Sequence, residues 1–129
     1  KKTKVKNRYF NYLVVLDIDD KTILRQRKGK GIWQNLWEFP LLESDQELNY
    51  NSVKKELQTI LDIKEISKMY RFNEKIIVHK LSHQHLHSHF WIIRTTDNLS
   101  DGINWKELEE YPVPVLISDF IKTFKNSYF

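Results

Sequence analysis

Apolar and β-branched residues run almost unbroken over residues 9–18 and give way to Asp19-Asp20-Lys21, which predicts a strand ending in a turn. Residues 22–27 then alternate apolar and polar positions, so the two stretches are expected to pair as a hairpin. Gly29 and Gly31 interrupt the pattern, and residues 33–40 read as a short extended segment closed by Pro40. After a polar link at 45–51, Val53, Leu57, Ile60 and Leu61 fall at i, i+4, i+7 and i+8, the stripe of an amphipathic helix over 52–61. Residues 66–73, 75–79 and 85–95 read as strands, the last with Phe90, Trp91, Ile92 and Ile93 at its centre. A polar link or helical turn at 104–110 precedes Pro112 and Pro114, which lead into a final helix striped by Leu116, Ile117, Phe120, Ile121 and Phe124. Several strands with one internal and one terminal helix predict an α+β fold, a mixed β-sheet sandwiched by helices.

Composition sharpens this picture in a few places. At 129 residues the chain fits one domain, which buries roughly two-thirds of its surface on folding. Four Trp, six Tyr and seven Phe supply the bulk for a core, and three Gly with three Pro leave little room for flexible or low-complexity segments. The absence of Cys excludes disulfides, a thiol nucleophile and any iron–sulfur or Cys-zinc site within these residues. No apolar run approaches the ~20 residues of a membrane span, and no signal peptide is visible. The first residue is Lys rather than Met, as expected for a piece of a longer protein.

Charge is distributed unevenly. Of the formal +4, residues 1–40 contribute +6, with ten Lys or Arg against four acids, and residues 41–129 contribute −2. Nine of these ten cations lie in two groups: Lys1, Lys2, Lys4, Lys6 and Arg8, then Arg25, Arg27, Lys28 and Lys30. Such clusters attract phosphate backbones without sequence preference. A solvated linker explains the terminal group equally well. For Arg25, Arg27, Lys28 and Lys30 a phosphate role is favoured, because the two glycines let backbone approach a ligand closely.

The stretch Gly31-Ile-Trp-Gln-Asn-Leu-Trp-Glu-Phe-Pro40 carries the most specific information. With its Gly-rich basic loop it resembles the MutT branch of the Nudix family, which handles oxidised guanine nucleotides. In active members this segment leads through a Gly-Gly turn into a helix of the form R-E-U-x-E-E, whose glutamates hold divalent metal against a pyrophosphate through hard oxygen ligands. Here Pro40 is followed by Leu41-Leu42-Glu43, and the matching helix reads Lys55-Glu56-Leu57-Gln58-Thr59-Ile60. Thr59 and Ile60 stand where the metal-binding pair is required. One carboxylate does not organise an ion that needs several oxygens, so hydrolysis is not expected.

The combination is more similar to the C-terminal domain of the MutY-type adenine DNA glycosylases, a Nudix-like domain without hydrolase activity that recognises 8-oxoguanine opposite a mispaired adenine. That family carries an F-S-H-like triplet between two strands, matched here by Leu81-Ser82-His83, and a terminal run matched by Trp105, Leu108, Tyr111, Pro112 and Pro114. The likeness extends from Tyr9 to Phe124. It departs at Leu81, where many relatives have Phe: Leu still wedges between bases as an apolar side chain but stacks less well.

The resemblance implies that residues 1–8 end a basic connector from a missing N-terminal catalytic domain and that residues 9–129 form the recognition domain. It implies no catalytic residue and no cofactor here, with the iron–sulfur cluster residing in the missing domain. The implied partners are that domain and double-stranded DNA with 8-oxoguanine·adenine or guanine·adenine mispairs, in the bacterial cytoplasm and without membrane attachment. Ser82 suits such a task. Oxidation of guanine at C8 adds a carbonyl and protonates N7, turning a major-groove acceptor into a donor. A serine hydroxyl accepts while its backbone N–H donates. On local sequence alone Ser82 reads as an ordinary turn serine, and the resemblance reverses that.

His83 donates to O8 or a phosphate, or buttresses the loop. The five histidines fall at 79, 83, 85, 87 and 89; a polar strand face is the preferred account, and a zinc site the sharper alternative. Trp33, Trp37, Trp91 and Trp105 offer stacking surfaces, though most are expected in the core. Two other functions stay open: a divergent Nudix hydrolase using Glu38, Glu43 and Glu56, and a Nudix-like protein- or metal-binding adaptor.

Overall fold

A computed structural model describes residues 4–129, so Lys1 and Lys2 of the expected connector lie outside the described residues. The order is β1 (Lys6–Leu16), β2 (Arg25–Gln26), β3 (Trp37–Glu38), β4 (Leu41–Ser44), α1 (Tyr50–Ile60), β5 (Lys68–Arg71), β6 (Ile77–Lys80), β7 (Gln84–Arg94), a 3-10 helix (Trp105–Glu110) and α2 (Val115–Tyr128). β1 opens at Lys6, so Lys6, Asn7 and Arg8 of the expected connector pair with β7 within the sheet.

The apolar run of β1 is nearly continuous because both of its faces are covered, as in a central strand with a parallel neighbour. It pairs in parallel with β7 along its whole length, from Lys6 with Gln84 to Leu16 with Arg94. β4 lies antiparallel on its other edge, with Tyr9 opposite Ser44. The far edge of β7 is shared by β6 and β5, both antiparallel, one along each half.

The hairpin expected between residues 9–18 and 22–27 does not form: β2 pairs with β3 in a separate two-stranded sheet. Both edges of β1 are already occupied. The buried Asp17 carboxylate also turns the chain away, accepting from the backbone N–H groups of Asp19, Lys21 and Leu99. Thr22 then bridges to Ile103 instead of to β1.

Alternation along the strands divides the core into two layers. Phe10, Tyr12, Val14, Leu86, Phe90 and Ile92 face α2, whose Phe120 stacks on Phe90 at 4.1 Å. Leu13, Val15, Trp91 and Ile93 face Val53 and Leu57 of α1. α1 begins two residues earlier than its apolar stripe indicates, because Asn49 caps it by accepting from the Ser52 N–H at 2.9 Å. The architecture is therefore a mixed sheet between helices. Among the described residues no helix is long and apolar enough to cross a membrane.

Candidate nucleic-acid interface

The triplet Leu81-Ser82-His83 forms the tip of the β6–β7 hairpin. The Leu81 N–H donates to the Gln84 carbonyl at 2.7 Å, closing the turn, and the Lys6 N–H donates to the His83 carbonyl at 2.9 Å, tying the tip to the start of β1. Leu81 is half-buried and packs against the core layer that contains Phe10, while Ser82 and His83 are exposed. The tip thus presents the serine and the histidine on a backbone held at both ends.

The basic loop between β2 and β3 reaches the same end of the sheet. It is closed by the Arg27 N–H donating to Leu36, Asn35 to Arg27 and Leu36 to Trp33, at 2.8, 2.8 and 3.0 Å. Gly29 at φ 85° and Gly31 at φ 141° occupy the positive-φ region that favours glycine. Trp33 is also left-handed, at φ 56°, an uncommon conformation for a bulky residue that tertiary contacts must hold. Its indole packs edge-on against Phe10 at 6.4 Å and His79 at 5.9 Å, which brings the basic loop up to β6 beside the tip.

The four expected phosphate contacts are not equivalent. Lys28 and Lys30 are exposed on the loop. Arg27 is held by Glu38 through Nη1, at 3.0 and 3.2 Å, and its guanidinium lies 5.8 Å from the Phe10 ring centre. Arg25 points elsewhere, donating to the Ile60 carbonyl at the end of α1 and lining a cleft of about 690 Å³ with Leu61, Lys64 and Asp97.

Beneath the loop lies a polar network that the sequence did not signal. Buried Glu38 also accepts from the Tyr12 hydroxyl at 3.1 Å. Burial raises the Glu38 carboxyl above its ordinary range against the pull of Arg27, and burial next to Glu38 pushes the Tyr12 hydroxyl well up. Alongside, Arg8 forms a two-pronged pair with Glu43 at 2.7 Å on each oxygen, donates to Gln84 at 2.8 Å and lies 5.0 Å from the Phe10 ring. Hydrogen bonding from Arg8 holds the Glu43 carboxyl below its usual range. Arg8 counts only as one cation among several in the sequence; its partners are 35 and 76 residues away.

The third carboxylate of the hydrolase alternative, Glu56, is exposed on α1. Among the described residues no group of three or more His, Asp or Glu side chains is arranged to hold a metal ion. The histidines divide by strand alternation. His85, His87 and His89 share the α1 side of β7, where His87 stacks on Tyr9 at 4.6 Å and His89 is buried between Glu47 and Asn73. His79 packs on Trp33 on the opposite side. His83 lies in the turn, because β7 opens at Gln84. Trp91 and Trp105 are core residues, whereas Trp33 and Trp37 are partly buried.

A family profile described as NUDIX domain matches residues 11–123. The fold is similar to the C-terminal domain of mouse MUTYH, solved in complex with human PCNA, with a TM-score of 0.72 at 17% identity over 92% of this chain and 88% of that one. It is similar as well to the MutT protein of Methanosarcina mazei, with a TM-score of 0.63 at 13% identity over 98% and 97% of the two chains. The NUDIX domain of Shewanella oneidensis NrtR, complexed with ADP ribose, gives 0.62 at 10% identity over 100% and 91%. No curated protein matches the sequence itself.

Proposed function

Because the chain belongs to the NUDIX domain family, we propose that it uses this scaffold to read DNA damage, recognising 8-oxoguanine, or guanine, opposite a mispaired adenine without hydrolysing a nucleotide. The observation that carries the reading is the exposed Ser82-His83 tip, fixed by backbone hydrogen bonds to Gln84 and β1 and set beside the cationic loop. The Ser82 hydroxyl accepts from the N7–H that exists only in the oxidised base, and a backbone N–H of the tip donates toward O8. Lys28 and Lys30 supply attraction to phosphate that is indifferent to sequence. Adenine excision belongs to a separate N-terminal catalytic domain carrying an iron–sulfur cluster, so preference for the lesion arises from differential binding.

The same network argues against the hydrolase alternative. Glu38 and Glu43 are already neutralised by Arg27 and Arg8. Recruiting them to a divalent ion would leave two guanidiniums unpaired, and among the described residues no three carboxylate or imidazole groups are arranged to hold one. The Arg27–Glu38 pair instead braces the base of the basic loop.

Fluorescence anisotropy with duplexes that differ only in 8-oxoguanine or guanine opposite adenine tests this reading. The chain is expected to prefer the oxidised duplex, and Ser82→Ala to lose about 1–3 kcal/mol of that preference, roughly five- to 150-fold. Equal affinity of the unsubstituted chain for both duplexes contradicts it. Turnover of 8-oxo-dGTP with Mg²⁺ well above background would favour the hydrolase.

A further inference from the structure

The histidines of β7 are not used in the proposed recognition of the base, yet their placement is specific. Register places Asn7, His85 and Lys80 in one row across β1, β7 and β6, with Tyr9, His87 and Val78 in the next. Residues opposite one another in a ladder share a face, and here it is the α1 side of the sheet. α1 covers only the half built from Leu13, Val15, Trp91 and Ile93. The half nearest the tip is uncovered: Lys80 and Asn7 are exposed, and Val78 is 43% exposed. These two rows contain hydrogen-bond donors and a lysine but no carboxylate. On the other side of the same hairpin, Trp33 holds the loop of Lys28 and Lys30 against His79. Cations therefore flank the hairpin on both sides, Lys80 on the hairpin itself and Lys28 and Lys30 on the loop packed against its other face.

We infer that the β6–β7 hairpin enters a DNA groove as a two-sided wedge, with Lys80 and His85 on one face contacting the phosphates of one strand and Lys28 and Lys30 on the other face contacting those of its complement. The inference rests on the reading that the tip meets duplex DNA and adds which surfaces grip which strand. The major groove, about 12 Å wide, admits a two-stranded β-ribbon and is walled by both phosphate backbones, so each face of an entering tip sees one wall. His87 is braced by stacking on Tyr9 and by the Asn7 side chain at 3.0 Å, which leaves His85 as the imidazole available to the backbone. A lysine contact releases counterions, and an imidazole nitrogen offers a hydrogen bond to a phosphate oxygen.

An unmodified duplex tests this independently of lesion preference. Affinity is measured from low to moderate salt for the unsubstituted chain and for Lys80→Ala, Lys28→Ala, His85→Ala and Lys122→Ala, the last a control on exposed α2. Thermal melts check that each variant remains folded. Lys80→Ala and Lys28→Ala are each expected to flatten the log–log salt slope by about 0.9. His85→Ala is expected to weaken binding several-fold, and Lys122→Ala to change neither affinity nor slope. In phosphate-ethylation interference, the positions relieved by Lys80→Ala and by Lys28→Ala should lie on opposite strands.

Relief on one strand only, an unchanged slope for Lys80→Ala, or no binding to any duplex overturns the inference. Equal affinity for oxidised and normal duplexes would overturn the lesion reading while leaving the wedge intact.

Discussion

At position 38 a glutamate in a motif associated with nucleotide chemistry is fully engaged in structure. Arg27 and the Tyr12 hydroxyl surround its carboxylate, and its side chain is only 9% exposed. Glu38→Gln keeps the shape but leaves the Arg27 charge without its partner; the expected loss is about 1–3 kcal/mol of stability by chemical denaturation. An unchanged midpoint would show that the pair is dispensable. Asp17 makes a different prediction. Burial raises its carboxyl, but hydrogen bonds from the Leu99, Lys21 and Asp19 N–H groups outweigh that and hold it below the usual carboxylate range. A depressed folded value means that the unfolded chain takes up the proton first. The stability Asp17 contributes is therefore complete above about pH 4 and is lost as pH falls through its lower folded value. Asp17→Asn places an amide donor against a backbone donor, so it should destabilise the chain near neutrality and flatten the acid limb of the stability–pH curve. An acid limb identical to that of the unsubstituted chain would contradict this. Ser82 marks the limit of residue-level reading: an exposed serine in a tight turn has no local mark of function, and family likeness alone singles it out.

Among the elements, those with strong local periodicity were legible in advance. The apolar stripes of α1 and α2 were visible, as was the apolar centre of β7. The expected β1–β2 hairpin was not found, because β1 pairs with a partner 78 residues away, Lys6 with Gln84, and no local pattern encodes a non-local pairing. β4 was missed for another reason: Leu41-Leu42-Glu43-Ser44 is short, does not alternate, and is ordered by pairing with Tyr9–Tyr12 of β1. The start of α1 rests on a single cap. Asn49→Ala removes the acceptor for the Ser52 N–H and should cost about 1 kcal/mol, with an unchanged denaturant slope. A loss below a few tenths of a kcal/mol would mean that packing of Val53 and Leu57 sets the helix end.

Across the whole molecule, the basic first third and the acidic remainder meet in one fold with a directional surface. The parallel pairing of β1 with β7 brings the start of β1, the basic loop and the 81–83 tip to one end of the sheet, while Asp17 and the cleft lined by Arg25 occupy the other. Charge asymmetry in the sequence indicated a phosphate-seeking region, but its direction depends on Trp33 folding the loop back onto β6. In the proposed function, this end distinguishes an oxidised base by contact at the tip. Amide chemical shifts of the chain, followed during titration at fixed salt with duplexes containing 8-oxoguanine·adenine or guanine·adenine, test it most directly. Shifts at Leu81, Ser82 and His83 are expected to appear only with the oxidised duplex and to vanish in Ser82→Ala. Identical shifts with both duplexes, confined to Lys28, Lys30 and the other cations, would contradict it and reduce the domain to a nonspecific clamp.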